Sequence, residues 1–220
     1  MHCITDARLR AQIERLQRQS QDQEPAIEGY FARRLAANDL SWDGLDRDAH
    51  EFFADKFVAL SDDKASFCHA LCRAMGARRV VEVGTSYGVS TLYLADAVRA
   101  NGGGRVTATE HEPVKAAAAR ANYAEAGLED VIDLREGDLR DTLQDLDGPI
   151  DFVLMDIWTE MVVPAMSLIT PHLRQGAAVV ADNTTAFAQA YQGYFAFLDA
   201  NGFTTQTLPF AGGLELSIRT

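Results

Sequence analysis

Basic residues are scarce in this sequence of 220 residues, in which 20 lysines and arginines stand against 32 aspartates and glutamates. The resulting formal net charge of −12 describes a surface that repels phosphate groups. Nucleic acid and anionic membranes are therefore excluded as partners. Lysine is the scarcer basic type, because Lys56, Lys64 and Lys115 are the three in the chain. A lysine that acts as a base has to be one of these.

Cysteines and long apolar runs are also few. Three cysteines cannot all pair, and Cys68 and Cys72 lie four residues apart in a predicted helix, so no disulfide framework is expected. The run from Cys68 through His69 to Cys72 lacks a second ligand pair, which favours buried apolar cysteines over a metal site. No apolar run approaches the ~18 residues of a membrane span, and no signal-peptide pattern opens the sequence. We therefore expect a cytoplasmic protein without a membrane partner.

Short apolar runs alternate with longer helical segments from residue 79 onward. Helices are predicted over 90–100, 113–126 and 186–200. Strands are predicted over 79–83, 105–109, 131–134, 151–155, 177–181, 203–208 and 214–219. This alternation predicts an α/β fold with a doubly wound, mostly parallel, seven-stranded sheet. The short loop that contains Gly212 and Gly213 makes the last two strands an antiparallel hairpin.

The amino-terminal part of the chain has a different pattern. Residues 1–60 are predicted to form a helical extension, and residues 61–220 the sheet domain. Leu9, Ile13 and Leu16 make a narrow apolar stripe at helical spacing in a polar segment. Because such a stripe does not stabilise a helix alone, it packs either on the domain or on a second subunit.

Each predicted parallel strand is followed by carboxylates or glycine. The residues are Gly84 after the first strand, Glu110 after the second, Glu136-Gly137-Asp138 after the third, Asp156 after the fourth and Asp182-Asn183 after the fifth. Ligands of open parallel sheets bind outside the carboxyl ends of the strands. We therefore expect these residues to surround one binding site.

The turn after the first strand indicates what that site binds. It has the form Glu82-x-Gly84-x-x-x-Gly88, in which Thr85-Ser86-Tyr87 fill the space that a dinucleotide fingerprint keeps open for a pyrophosphate. A nucleoside without phosphates still fits, and Glu110 stands where an acidic side chain accepts hydrogen bonds from ribose hydroxyls. The pattern favours S-adenosylmethionine over NAD.

These residues also carry a family resemblance. Residues 81–91, Val-Glu-Val-Gly-Thr-Ser-Tyr-Gly-Val-Ser-Thr, resemble the first motif of class I S-adenosylmethionine-dependent methyltransferases, most of all the catechol O-methyltransferase-like branch. The similarity continues in order through Ala108-Thr109-Glu110, Glu136-Gly137-Asp138, Leu154-Met155-Asp156, Val180-Ala181-Asp182-Asn183 and Gly213-Leu214-Glu215. It covers roughly residues 60–220. The resemblance implies a Rossmann-like methyltransferase fold, an O-methyltransferase activity and a homodimer.

The resemblance further implies which residues bind S-adenosylmethionine. The set is Glu82, Gly84, Ser86, Tyr87, Gly88, Ser90, Glu110, His111, Asp138, Leu139, Asp156 and Trp158. In this family the glycine turn approaches the methionine part, with Ser90 near its carboxylate. Glu110 holds the ribose, and Asp138 and Leu139 flank the adenine. His111 is as compatible with an exposed loop histidine as with an adenosine contact.

Asp156, Asp182 and Asn183 match the three protein ligands of the family's divalent cation, usually Mg²⁺. Two carboxylates and an amide are hard oxygen donors, and three such ligands leave positions of an octahedral ion open. The alternative is that Asp182 and Asn183 cap a helix and that Asp156 is a loop carboxylate.

One position departs from the family. Thr159 stands where the family has a lysine base, and a threonine hydroxyl does not take up a proton near neutral pH. Ile157 also replaces a histidine of the catechol enzymes. Three interpretations stay open: a metal alone activates the acceptor, another group such as Lys64 serves, or the reaction differs from catechol methylation.

The leading hypothesis is methyl transfer to a hydroxyl of a small, catechol-like molecule with a divalent cation. The alternatives are a metal-independent methyltransferase with another acceptor atom and a cofactor-binding protein without catechol-type activity.

Overall fold

One mixed sheet organises the chain in the computed structural model, which describes residues 3–37 and 47–220. Its strands are β1 (Arg79–Val83), β2 (Arg105–Glu110), β3 (Ile132–Glu136), β4 (Ile150–Met155), β5 (Leu173–Asp182), β6 (Phe203–Leu208) and β7 (Leu214–Arg219). Their order is β3-β2-β1-β4-β5-β7-β6, with β1 to β5 parallel and β7 antiparallel to both β5 and β6. The predicted doubly wound sheet and its antiparallel carboxyl-terminal hairpin are confirmed.

Helices cover both faces of this sheet. They are α1 (Ala7–Gln21), α2 (Glu24–Ala36), α3 (Arg47–Phe53), α4 (Asp62–Met75), α5 (Val89–Ala100), α6 (Pro113–Ala126), α7 (Leu139–Thr142), α8 (Thr159–Ile169) and α9 (Gln192–Ala200). In the part of the chain that is described, no helix is both long and apolar enough to cross a membrane.

Successive residues of the central strands enter two separate cores because strand side chains alternate between faces. Val80 packs in the core beneath α1, α4, α5 and α6, while Val81 packs in the core beneath α7, α8 and α9. Phe152 and Val153 of β4 divide in the same way. Burial on both faces explains why these strands are almost continuously apolar in sequence.

The narrow apolar stripe of α1 belongs to the first of these cores. Leu9, Ile13 and Leu16 are buried there, together with residues of α4 and α5. Asp6 caps the helix, since its carboxylate accepts hydrogen bonds from the backbone amides of Arg8 and Leu9 at 2.7 and 3.0 Å. Of the two packing alternatives, the stripe therefore uses the domain of its own chain. The division into 1–60 and 61–220 stays a prediction, and residues 1–2 and 38–46 lie outside the described residues.

The helix predicted over 186–200 is shorter than expected, because α9 begins at Gln192 and turns occupy the residues before it. The backbone amides of Thr185 and Ala186 both donate to the Gly212 carbonyl at 2.9 Å. These long-range hydrogen bonds hold the segment against the β6–β7 hairpin, so local helix propensity does not decide its conformation. The interpretation of Asp182 and Asn183 as a cap for a helix near residue 185 is accordingly wrong.

Candidate active site

A cavity of about 710 Å³ lies at the carboxyl ends of the parallel strands. The chain runs outward from β1 to β2 and β3 on one side, and from β4 to β5 on the other. The strand order therefore reverses between β1 and β4, which is where ligands of open α/β sheets bind. Side chains of α2 and α3 form the opposite wall, so the cavity is enclosed between the sheet and the amino-terminal helices.

The glycine turn after β1 allows two strand ends to meet at the cavity floor. Gly84 has a φ of +88°, and a Cβ at this position would overlap the backbone carbonyl oxygen of Asp156 after β4. Gly88 has a φ of +87°, and a Cβ there would overlap the ring of Tyr123. Glycine is thus required for close approach at both positions. Residues 84–87 of this turn line the cavity.

Glu110 is held rigidly at the end of β2. One carboxylate oxygen accepts a hydrogen bond from the backbone amide of Ser86, and the other accepts from the amide of Glu112, each at 2.8 Å. Burial raises the pKa of Glu110, against the opposing effect of these amides and of Lys115. Glu110 lines the cavity, and each of its oxygens can accept a further hydrogen bond, so this carboxylate suits a vicinal diol.

Glu82 lies behind the glycine turn and is fully buried. Its Oε2 accepts a hydrogen bond from Thr91, whose hydroxyl also bonds Thr85 and Tyr123. Its Oε1 has no hydrogen-bond partner among the described residues. Burial raises the pKa of Glu82 to about 7, although the surrounding hydroxyls oppose this rise. This network supports the turn from beneath.

Two carboxylates and an amide stand together at the ends of β4 and β5. Asp156, Asp182 and Asn183 all line the cavity. Burial and the negative charges of Asp182 and Glu82 raise the pKa of Asp156 well above its ordinary value. Burial also raises the pKa of Asp182, although the Lys64 ammonium opposes this rise.

Lys64 reaches this group from the first turn of α4. Its Nζ lies 2.5 Å from Asp182 Oδ1, and both side chains are 7% exposed. The residues that line the cavity do not include Lys64, so it contacts Asp182 from behind. Thr159, the first residue of α8, lines the cavity. It occupies the position at which the family has its lysine base.

The donor set fits a divalent cation. Asp156 is half-buried at the cavity beside the buried Asp182 carboxylate, and among residues 3–37 and 47–220 its side chain has no hydrogen-bond partner. Two carboxylates this close together need a cation or a proton between them. Lys64 brings one positive charge against two carboxylates, which leaves a negative charge to be balanced. Within residues 3–37 and 47–220 no three His, Cys, Asp or Glu side chains form a metal cluster, and the remaining oxygen donor of the predicted set, the Asn183 amide, lines the same cavity.

Comparison with known proteins agrees with this geometry. Residues 81–184 match a family model described as a methyltransferase domain. The chain is 38% identical over 127 residues to catechol O-methyltransferase from Mycobacterium tuberculosis, over 57% of each chain. It is 32% identical over 134 residues to catechol O-methyltransferase from Niastella koreensis, over 57% of this chain and 58% of the relative. The matches thus span less than two thirds of the length of these curated relatives.

Solved structures extend the similarity to most of the chain. Cofactor-bound Rv0187 from MTB is 30% identical, with a TM-score of 0.68 over 86% of this chain and 88% of that one. The chain belongs to the catechol O-methyltransferase-like class I S-adenosylmethionine-dependent O-methyltransferases. The O-methyltransferase TomG from Streptomyces achromogenes, solved in complex with SAM, is 25% identical, with a TM-score of 0.68 over 89% and 96% of the two chains. The resemblance seen in the sequence motifs is confirmed.

Most of the predicted site residues of this methyltransferase-family chain border the one cavity. Those that line it are Gly84, Ser86, Tyr87, Ser90, Glu110, His111, Asp138, Leu139, Asp156, Trp158, Asp182 and Asn183. Glu82 and Gly88 are not lining residues, since Glu82 lies behind the turn and Gly88 packs against Tyr123. Asp138 also caps α7, because its Oδ1 accepts from the Arg140 amide at 2.8 Å. The individual binding roles stay predictions.

The sequence interpretation missed the aromatic wall of the cavity. Tyr30, Phe31 and Phe53 of α2 and α3 line the cavity together with Trp158, and the Phe53 and Trp158 rings meet edge to face at 5.2 Å. Trp158 is 41% exposed, which is unusual for so large an apolar side chain. The concentration of aromatics in an otherwise polar amino-terminal segment was the available signal.

Proposed function

We propose that this chain transfers the methyl group of S-adenosylmethionine to a hydroxyl of a small aromatic molecule, assisted by a divalent cation. What supports this most directly is a single cavity that joins the Gly84 turn and Glu110 to Asp156, Asp182 and Asn183. A nucleoside-binding half and an oxygen-donor half thus open into the same space.

The cofactor half is argued from Glu110 and the glycine turn. Glu110 would accept hydrogen bonds from the ribose hydroxyls, because it lines the cavity and its two backbone partners hold the carboxylate in place. The turn after Gly84 lines the cavity and would accommodate the methionine part, with Ser90 beside it. S-Adenosylmethionine carries its methyl group on a sulfonium sulfur. An oxygen lone pair of the acceptor attacks the methyl carbon, and S-adenosylhomocysteine leaves. TomG, which this chain resembles, was solved with SAM.

The metal half is argued from the unpartnered carboxylate. Asp156, Asp182 and Asn183 would hold Mg²⁺ or another divalent cation through oxygen atoms. When bound, such a cation lowers the pKa of a hydroxyl beside it. Asp156 and Asp182 would then set the position of the acceptor oxygen relative to the cofactor.

The acceptor class is argued from the aromatic wall. Tyr30, Phe53 and Trp158 offer ring faces and edges that orient a planar apolar molecule. The two curated relatives described above are named catechol O-methyltransferases, which makes a catechol the first acceptor to test. Residues of α2 and α3 would cover one side of a bound acceptor.

A metal-independent methyltransferase is the second candidate, and two observations favour it. Lys64 already neutralises Asp182, and Thr159 replaces the family lysine. In this alternative the Lys64 ammonium is the cation of the site, and the acceptor atom is one that is more easily deprotonated than a catechol hydroxyl.

Calorimetric titration of Mg²⁺ into the chain saturated with S-adenosylhomocysteine separates the two candidates. The first predicts binding that Asp156→Asn abolishes; this change removes a charge without removing a hydrogen-bond partner. Asp199→Ala, at an exposed position of α9, is the matched control. Absence of Mg²⁺ binding to the wild-type chain would leave the metal-independent enzyme.

The setting of the enzyme is also proposed. A homodimer follows from the family resemblance, and a cytoplasmic location from the cysteine usage. Because Leu9, Ile13 and Leu16 are buried within their own chain, this stripe is not the dimer contact. Light scattering of the full chain tests the oligomeric state.

A further inference from the structure

Lys115 is a buried cation for which the described residues provide no hydrogen-bond or ion-pair partner. It lies in the first turn of α6, is 9% exposed and lines the cavity. Within the described residues it makes no hydrogen bond and no ion pair. A buried ammonium normally has such partners, because its three donors otherwise lose their water without replacement. The missing partner is expected in the space that Lys115 borders.

The groups around Lys115 are mostly acidic. The negative charges of Glu110, Glu112 and Asp55 raise its pKa, while burial lowers it more strongly and Lys56 adds a small repulsion. Glu110 is the nearest of these to the predicted ribose site, and Lys115 in turn lowers the pKa of Glu110. A positive and a negative side chain thus border the same part of the cavity.

A hydroxyl of a ribose complements this pair. A Glu110 carboxylate only accepts hydrogen bonds, so each hydroxyl that binds it uses its single O–H as the donor. The hydroxyl oxygen then has lone pairs that need a donor. Lys115 has donors and no acceptor, and it is the unpartnered cation beside Glu110 within the described part of the chain.

We propose that Lys115 is a cofactor-binding residue that donates a hydrogen bond to a ribose hydroxyl, while the same hydroxyl donates a hydrogen bond to Glu110. This inference rests on the proposed function, since it takes the ribose of S-adenosylmethionine as the ligand. Lys115 and Glu110 would together recognise the hydroxyl as both donor and acceptor. The pair therefore selects ribonucleoside cofactors over their deoxyribose counterparts.

Calorimetric binding to the full chain tests this proposal with S-adenosylhomocysteine and its 2′-deoxy and 3′-deoxy counterparts. Lys115→Met should weaken binding of S-adenosylhomocysteine by about tenfold or more, the effect of a hydrogen bond to a charged group. The loss should disappear with the deoxy ligand that lacks the contacted hydroxyl. Lys56→Met is the matched control, because Lys56 pairs with Asp55 outside the cavity lining, and it should change the affinity less than twofold.

The outcomes separate this proposal from the proposed function. Failure of the wild-type chain to bind S-adenosylhomocysteine overturns both. Normal wild-type binding with no change in Lys115→Met, or with the same loss for all three ligands, overturns the role of Lys115 alone. Lys115→Gln keeps N–H donors but removes the charge, and it serves if the methionine variant does not fold. A loss of about threefold that vanishes with one deoxy ligand then supports the contact, and a uniform or absent loss contradicts it.

Discussion

The ion pair between Lys64 and Asp182 makes a strong prediction about stability. Both side chains are 7% exposed, and Nζ lies 2.5 Å from Oδ1. Lys64→Met would leave the Asp182 carboxylate buried beside Asp156 without its cation. Removing one partner of a buried pair costs about 3–5 kcal/mol, because the remaining charge is neither hydrated nor compensated.

This loss is measurable by urea and thermal unfolding of the ligand-free chain. A domain of this size shifts in Tm by roughly 2–4 °C per kcal/mol, so we expect Lys64→Met to unfold about 6–20 °C below the wild type. Lys56→Met is the control, because the Lys56–Asp55 pair is exposed on its acidic side and is expected to contribute less than about 1 kcal/mol.

A double variant checks the cause of the loss. Lys64→Met with Asp182→Asn removes both charges and should recover at least half of the lost stability. Mg²⁺ should also stabilise the single variant more than the wild type, since a divalent cation replaces the missing charge. A loss below about 1 kcal/mol in Lys64→Met, or no recovery in the double variant, would refute the role assigned to this ion pair.

Three further substitutions test other parts of the site. Gly84→Ala should lower S-adenosylhomocysteine affinity by at least tenfold in calorimetry, because its Cβ would overlap the Asp156 carbonyl oxygen and shift the turn; unchanged affinity would contradict the close approach. Glu82 has a pKa of about 7 against an ordinary 4.5, so it holds its proton in the folded chain and its stabilising effect is lost as the pH rises from 4.5 through 7. Between pH 5 and pH 8 the free energy of unfolding should therefore fall by up to about 3 kcal/mol more in the wild type than in Glu82→Gln. An equal fall in both would show that Glu82 does not titrate in this range. Trp158→Ala should raise KM for an aromatic acceptor by roughly two- to tenfold, from the loss of aromatic contacts, with a smaller change in kcat; an unaltered KM would remove Trp158 from the acceptor site.

The sheet and the residues at its strand ends were accessible from sequence for a simple reason. Strands buried on both faces are short apolar runs, and a parallel sheet brings their carboxyl ends to one edge. Gly84, Glu110, Asp156 and Asp182 follow such runs directly, so their convergence needs no knowledge of side-chain packing.

The start of α9 and the aromatic wall of the cavity could not be predicted, because both depend on contacts between distant segments. The start of α9 at Gln192 is set by hydrogen bonds to Gly212, a residue twenty positions later in the chain. The aromatic wall of α2 and α3 meets the site through the Phe53–Trp158 contact, which no local pattern encodes.

The lysines illustrate the same limit. Their scarcity was visible in composition, and the absence of a lysine at position 159 followed from the motif. That Lys64 would pair with Asp182, and that Lys115 would be buried at the cavity, required the tertiary structure. Two of the three lysines in the sequence thus lie at the candidate site.

The central claim is methyl transfer from S-adenosylmethionine to an oxygen atom. Mass spectrometry of the chain incubated with methyl-labelled S-adenosylmethionine, catechol and Mg²⁺ tests it most directly, with an EDTA-treated sample alongside. We predict a labelled mono-O-methyl ether formed in equal amount with S-adenosylhomocysteine, and its loss on chelation. Binding of the cofactor without any labelled product across a panel of phenols, or a label on nitrogen or carbon, would contradict the account.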